Sequence, residues 1–458
     1  MSDAQTFVRS LYTAPGRVVA GRDGLLDRAA AAHATLFALA RTRAGPSLLQ
    51  ALAPIDAYLS GPSPPAEKRR LLCHPLFIEG LHALAPFSAE LQRWHDRVTS
   101  CPHRPPPDPA AVASLGNVAL EIRLRADRTW SGRCDLYTDV LGRIGFPFCD
   151  WSVYLPADRD QLPAGRAVSL MLDPSRAFWR LGGRTDDPFL IMPRNDCLRM
   201  LVDNDGTLDN RNWTFPDAAV RPKLVRACRL GRSAIRYDPV GIPTGTAHAG
   251  ITGGLLARIV EAIRRDSPAI YREFRHYIRA IRGFEFPRAK AVASFSDPTL
   301  PGVMGVSVAY SDADEPCLDP FCFTWFGHEM GHTKDYLCDT ILYARGESLV
   351  TNCGEWTAPI PRYGRPLSIR TLIQIPYVHL YEWTLLMDFW QANFRGLPWA
   401  VTGGAAEVGN DCAAEIEESF DLIDAHADLT PVGVAAVRHF HELYAEANDR
   451  WQTVRTLA

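Results

Sequence analysis

The segment Gly327-His328-Glu329-Met330-Gly331-His332 constrains this chain more than any other. It is an H-E-x-x-H pattern within an apolar stretch from Phe321 to about Tyr343, flanked by Phe323, Trp325, Phe326, Leu337 and Ile341. A helix is expected there. On a helix, two histidines four apart lie about 40° apart around the axis and one turn apart along it, so both imidazoles can reach one cation. Glu329 follows the first histidine, where in a metallopeptidase a carboxylate polarises a metal-bound water. With 13 histidines in the chain, chance produces the pattern in only roughly two per cent of such sequences. The apolar flanks suit a buried metal helix better than a histidine pair satisfied in a polar core.

A third ligand decides the chemistry. The extended pattern H-E-x-x-H-x-x-G-x-x-H fails, because Asp335 and Cys338 stand at its glycine and final histidine positions. Without that glycine the helix continues, turning Cys338 about 240° from His332. Asp335 stays on the metal face and is expected to support His332 from outside. Glu347 and Glu355 are candidate third ligands, in a stretch rich in Gly, Asn and Ser that reads as loop. His379 and Glu382 are the others, three apart on one face of the next good helix, whose Pro376 is expected to start or kink it. Trp383, Phe389 and Trp390 on that helix read as packing.

Around this segment the chain reads as α+β in three parts: 1–115 helical, 116–250 β-rich, and 251–458 mainly helical and catalytic. Leu25, Leu26, Ala29, Ala32, Leu36 and Phe37 recur at helical spacing, and Gly61 to Pro65 breaks that region into two. The stiff polar segment 101–107, rich in proline, marks the first boundary. Val118–Leu124 and Ala167–Leu172 read as strands between Gly, Pro, Asp and Asn turns. Helical period returns from Leu255 through Ile281, and two strands follow, at 289–296 and 302–310.

Composition limits the partners. A net charge of −3, from 49 basic and 52 acidic residues, argues against a nucleic-acid or anionic-membrane surface. No apolar run approaches the length that spans a bilayer. Eleven cysteines, odd in number and without a C-x-x-C pair, are not a disulfide framework. No apolar signal core follows Met1, so buried thiols in a reducing cytoplasm are expected.

The run Ser294-Phe295-Ser296-Asp297-Pro298-Thr299-Leu300-Pro301-Gly302, the motif, Arg365-Pro366-Leu367, and the helix from Tyr377 and His379 to Asp388-Phe389-Trp390 carry a resemblance. Together they resemble the bacterial HExxH-motif domain family, associated with gene clusters for ribosomally made, post-translationally modified peptides. Cys73 to Glu79 is a fainter echo, and the likeness covers roughly residues 285 to 395. The spacing from Arg365 to Tyr377 is two residues longer than the family pattern. The resemblance implies a zincin-like, metallopeptidase-type fold turned to oxidation: an iron(II)- and 2-oxoglutarate-dependent oxygenase that uses dioxygen to hydroxylate a β-carbon of a precursor peptide. It implies that His328 and His332 hold Fe(II), with His379 or Glu382 completing an open three-ligand face. Glu329 would then orient a water or the substrate. Arg365, Arg370 and Tyr377 would receive the 2-oxoglutarate, arginine offering a bidentate fork to its far carboxylate. The strand from Gly302 to Tyr310 would be the edge that holds the peptide. The motif alone points instead to a zinc metallopeptidase, with Glu329 as general base and Glu355 or Glu382 as third ligand. A non-catalytic peptide-binding protein is a third reading, disfavoured by the intact motif.

Overall fold

A computed structural model describes residues 3–17, 24–99, 114–138, 143–155, 167–181, 187–216, 222–229, 236–238, 246–284, 294–307, 309–310, 316–317, 322–360, 362–393 and 399–456. The proline-rich segment 101–107, residues 289–293 of the expected strand, and Phe321 lie outside these.

The chain opens with helices α1 (Asp3–Leu11), α2 (Gly24–Arg43), α3 (Pro46–Ser60), α4 (Pro65–Leu72), α5 (Pro75–Ala83), α6 (Ala89–Thr99) and α7 (Ser114–Ala126). Six strands follow: β1 (Gly132–Tyr137), β2 (Arg143–Ile144), β3 (Trp151–Tyr154), β4 (Ala167–Leu172), β5 (Arg176–Leu181) and β6 (Pro188–Pro193). Then come α8 (Arg194–Leu201), β7 (Lys223–Arg226), β8 (Cys228–Arg229), β9 (Arg236–Asp238), α9 (Thr246–Asp266) and α10 (Pro268–Tyr277). Strands β10 (Ala280–Phe284), β11 (Ser294–Ser296), β12 (Val303–Ser307), β13 (Ala309–Tyr310) and β14 (Pro316–Cys317) precede four long helices. These are α11 (Cys322–Ala344), α12 (Ile369–Asn393), α13 (Trp399–His426) and α14 (Pro431–Arg455).

Contacts divide the chain into two compact units, one of His33–His95 with Pro105–Ala227, the other of Met1–Ala32, Asp96–Arg104 and Cys228–Ala458. The sequence reading draws three parts, at 115/116 and 250/251. The contacts instead carry the first helix to the C-terminal part, because α1 packs on α14 and buries Val8 and Leu11.

In the first of these units β1, β4, β5 and β6 form an antiparallel sheet in the order β1-β4-β5-β6, and β2, β3 and β7 form a smaller one. Residues Val118–Leu124, expected as a strand, lie in α7. Val118, Ala119, Leu120, Ile122 and Leu124 are all buried, and a run apolar on every side carries no period that separates strand from helix. Leu120 and Leu124 join Leu136, Leu170, Trp179 and Leu190 in the core over the sheet.

The second unit holds a five-stranded sheet in the order β11-β12-β10-β9-β8. β9, β10 and β12 run parallel, and β11 and β8 flank them antiparallel. Two expectations change here. Ile281 belongs to β10, because Pro268 starts a new helix and the chain turns extended after Tyr277. β12 is an interior strand paired on both sides, so the segment from Gly302 is no edge; β11 stands at that end of the sheet. Helix α11 touches β11 and α10 and lies along α12, which is also covered by α13 and α14. The fold class among the described residues is mixed helix and strand.

Candidate metal centre

Two glycines bring the motif helix onto its neighbour. A Cβ at Gly327 would stand 2.7 Å from the Tyr381 carbonyl oxygen, and one at Gly331 would stand 2.8 Å from the Val378 Cα. Backbone meets backbone at both points, which only glycine allows. The approach brings His328 and His332, which alternate with these glycines on α11, against His379 and Glu382 on α12. Helix α12 begins at Ile369 and runs through Pro376. The local cost of about 3 kcal/mol is outweighed by burial of Leu372 to Val378 on both sides of the proline.

The Nε2 atoms of His328 and His332 lie 3.1 Å apart. The Nδ1 of His328 lies 3.0 Å from Glu382 Oε2, and Thr324 donates to Glu382 Oε1 at 3.2 Å. His379 Nδ1 is 3.5 Å from Glu382 Oε2 and 3.1 Å from Glu415 Oε2 on α13. Ligand atoms of His328, His379 and Glu382 all fall within 4.8 Å of one another, the one such group of three or more His, Cys, Asp or Glu among the described residues. His332 stacks on Tyr336, ring centroids 5.8 Å apart.

Charge is divided unevenly over this cluster. Burial opposes a proton on His328, but the hydrogen bond and charge of Glu382, with Glu329 and Glu415, outweigh it and raise its pKa to about 9. Burial also works against the Glu382 carboxylate, yet His328, His379 and Thr324 hold it down at about 2. Burial, then the positive charge of His328, lowers His332 and His379. The set therefore offers two neutral imidazoles, His332 and His379, and an ionised Glu382, with a proton on His328 that a divalent transition metal would displace.

Glu329 points to the sheet. Ser294 of β11 donates to its Oε1 at 2.5 Å, and Ser296 donates to its main-chain oxygen at 3.3 Å. Its Oε2 is buried without a hydrogen bond. Burial pushes the Glu329 carboxyl above its usual range, against the pull of His328 and the two serines.

Other expected residues stand elsewhere. Asp335 does not support His332, whose Nδ1 has no hydrogen bond. It pairs with Arg370, which also donates through Nε to Asp339 at 3.1 Å. Arg97 grips Asp339 from α6, through Nη2 at 2.9 Å and Nε at 3.1 Å. Arg370, Asp335 and Asp339 are 2%, 1% and 1% exposed, so this arginine is committed to an internal ion network. A buried charge needs such partners, and the two aspartates are the reason it is there. Tyr377 bonds the Thr13 carbonyl at 3.2 Å and sits among Tyr12, Tyr381 and Phe440. Arg365 is exposed and pairs through its backbone with Ile360. Glu347 and Glu355 lie between α11 and α12, outside the His328–His379–Glu382 group, with Arg345 and Asn352 as their neighbours. Cys338 turns to the Leu11 carbonyl, 3.6 Å away.

Glu415 carries no motif that singles it out in the sequence, and Ser294 stands in the run that precedes the motif without being marked there as a site residue. One signal was available for Glu415. It shares a helix face with Cys412, Ile416 and Ser419, all buried, and a carboxylate on an otherwise buried face calls for a partner. No known family model matches the chain, and no curated protein matches it.

Proposed function

We propose that this chain is an iron(II)- and 2-oxoglutarate-dependent oxygenase that hydroxylates a side-chain carbon of a ribosomally made precursor peptide, on a zincin-like scaffold. The observation that carries the metal is the grouping of His328, His379 and Glu382 from two helices in backbone contact, with His332 Nε2 3.1 Å from His328 Nε2. The oxidative chemistry rests on the resemblance of residues around 285–395 to the HExxH-motif peptide-modification family. His328 and His332 would hold the ion through Nε2, with Glu382 or His379 as third donor. Three protein donors leave positions for a 2-oxoacid and dioxygen. The bound iron, with those two, supplies the oxidising power to insert one oxygen atom into a C–H bond.

The chain's own residues do the positioning. Glu382 holds the Nδ1 side of His328, which leaves Nε2 free as a donor. β11 offers one side of its backbone to an extended peptide, and Ser294 on that strand contacts Glu329 directly. A peptide paired on β11 would therefore pass beside the motif helix. Arg370 is occupied by two aspartates, so the exposed Arg365 is the better of the two arginines for the 2-oxoglutarate carboxylate.

A second reading, zinc-dependent peptide hydrolysis, is favoured by Glu329 itself. Its buried Oε2 without a hydrogen bond and its raised pKa suit a general base. Protein purified without oxygen, given Fe(II), 2-oxoglutarate and candidate peptides, separates the two. The oxygenase yields succinate and a peptide heavier by one oxygen; cleavage with zinc and no cosubstrate overturns it. His328→Ala and His332→Ala should each abolish metal retention, and full activity in either would discard the site.

A further inference from the structure

Away from the metal face of α11, one lysine on the motif helix ends in a closed polar site. Lys334 stands two residues past His332, about 200° round the helix axis, and its side chain is wholly buried, as is that of Glu273. The ammonium donates to Glu273 Oε1 of α10 at 3.1 Å, to the Tyr381 hydroxyl of α12, and to Thr13 Oγ1 at 3.0 Å. A buried ion pair is stable only where its remaining hydrogen bonds are made. The segment after α1 makes them on both sides: Thr13 accepts from Lys334, and the Gly16 amide donates to the other Glu273 oxygen, Oε2, at 3.1 Å. Three successive carbonyls of this segment are gripped from three helices. Cys338 of α11 donates to the Leu11 oxygen at 3.6 Å, His439 of α14 to that of Tyr12 at 2.8 Å, and Tyr377 of α12 to that of Thr13 at 3.2 Å. The Tyr12 ring meets Tyr377 and Phe440 edge-on, each pair with centroids 5.1 Å apart. Lys334 and Cys338 thus tie the segment to the motif helix, and Tyr377 and Tyr381 tie the same site to α12, two residues either side of His379.

We propose that Lys334 is a positioning residue of the metal centre. Held by Glu273, Tyr381 and Thr13, it fixes α11 against α12 in the setting that brings His328 to His379 and Glu382, and residues 12–16 are the strap that keeps it there. This rests on the metal reading above, adds no donor to it, and leaves the three-donor face open. The coupling is reciprocal: a strap that favours the metal-binding setting is itself held more firmly once metal is bound.

The test measures zinc affinity of the full chain by competition with a chromophoric chelator, the visible spectrum of the cobalt(II)-loaded protein, and hydrogen exchange at the Gly16 amide with and without zinc. Thr13→Val removes the hydroxyl and nearly keeps the shape. It should weaken zinc binding about twofold to thirtyfold and change the cobalt spectrum, and Thr13→Ser, which keeps the hydroxyl, should return both to near wild type. Lys334→Met should weaken binding at least as much as Thr13→Val. In the wild-type chain zinc should slow exchange at Gly16. Far-UV circular dichroism checks that each variant folds; if Lys334→Met does not, the two Thr13 variants decide. A Thr13→Val protein that only melts lower, with wild-type zinc affinity and cobalt spectrum, would overturn the positioning role and leave the metal centre standing. A wild-type chain that binds neither zinc nor cobalt would overturn both.

Discussion

Replacing Arg370 with methionine tests whether this arginine builds the fold or binds a cosubstrate. Arg370, Asp335 and Asp339 are almost fully buried, and removing one member of a buried ion network costs about 3–5 kcal/mol. Asp339 keeps Arg97, at 2.9 and 3.1 Å, so the uncompensated charge falls mainly on Asp335. The loss should lie near the lower end, about 3 kcal/mol, roughly a hundredfold or more in the folding equilibrium. For a unit of this size that is a fall of roughly 6–12 °C in Tm. The pH dependence has a definite sign. Burial favours the protonated form of Asp339, but Arg370 and Arg97 hold its pKa low, so its contribution is present above the unfolded pKa and lost as pH falls through the folded one. Burial raises Asp335 even with Arg370 beside it. Without Arg370 the Asp339 carboxyl rises from its lowered value and that of Asp335 rises further. The deficit of the variant should therefore be largest at neutral pH and shrink as pH falls through those raised values, where a protonated carboxyl needs no cation. Urea denaturation followed by circular dichroism at several pH values measures this, and a second change, Asp335→Asn, should recover most of the loss. An Arg370→Met protein with the wild-type midpoint at pH 7, impaired only in 2-oxoglutarate affinity, would refute the reasoning.

Three further outcomes are expected. Gly331→Ala places a methyl 2.8 Å from the Val378 Cα, and should cost about 1–3 kcal/mol while weakening metal retention through the adjoining His379. A melt identical to wild type would mean that α11 and α12 are not in backbone contact. At pH 7 metal-free His328, with its pKa near 9, carries a proton that an ion must displace. Calorimetry in buffers of different ionisation enthalpy should show about one proton released per metal, and affinity should rise with pH to about 9; a flat profile would contradict this. Thr430→Ala removes the hydroxyl that caps α14 by accepting from the Gly433 amide at 3.0 Å, at a cost of about 0.5–2 kcal/mol. Thr430→Ser should melt near wild type, and equal melts for alanine and threonine would exclude the cap.

Local features of the chain were legible where a single segment sets the structure. The motif helix, the break between α3 and α4 at Gly61 to Pro65, and the strand Ala167–Leu172 all follow from residues within a few positions of one another. Val118–Leu124 and Ile281 were not, because their burial comes from partners far along the chain. Period fails when every side is covered, and a strand such as β10 exists by pairing with β9 and β12. Arg370 shows the same limit in the site. Its place in the first turn of the His379 helix suggests a ligand-binding cation, yet Asp335 and Asp339 from α11 claim it, and Arg97 from α6 holds Asp339 in turn.

By itself the sequence determined that His328 and His332 share one helix face with Glu329 beside them, since a spacing of four admits little else on a helix. It also offered His379 and Glu382 as partners without ranking them. Tertiary structure decided what meets that face. Gly327 and Gly331 let α12 approach to backbone contact, Ser294 reaches Glu329 from the end strand of the sheet, and Glu415 arrives from α13. Those distances depend on helix packing and strand order, which join residues tens of positions apart, whereas the chain's own periodicity reaches only from one turn to the next.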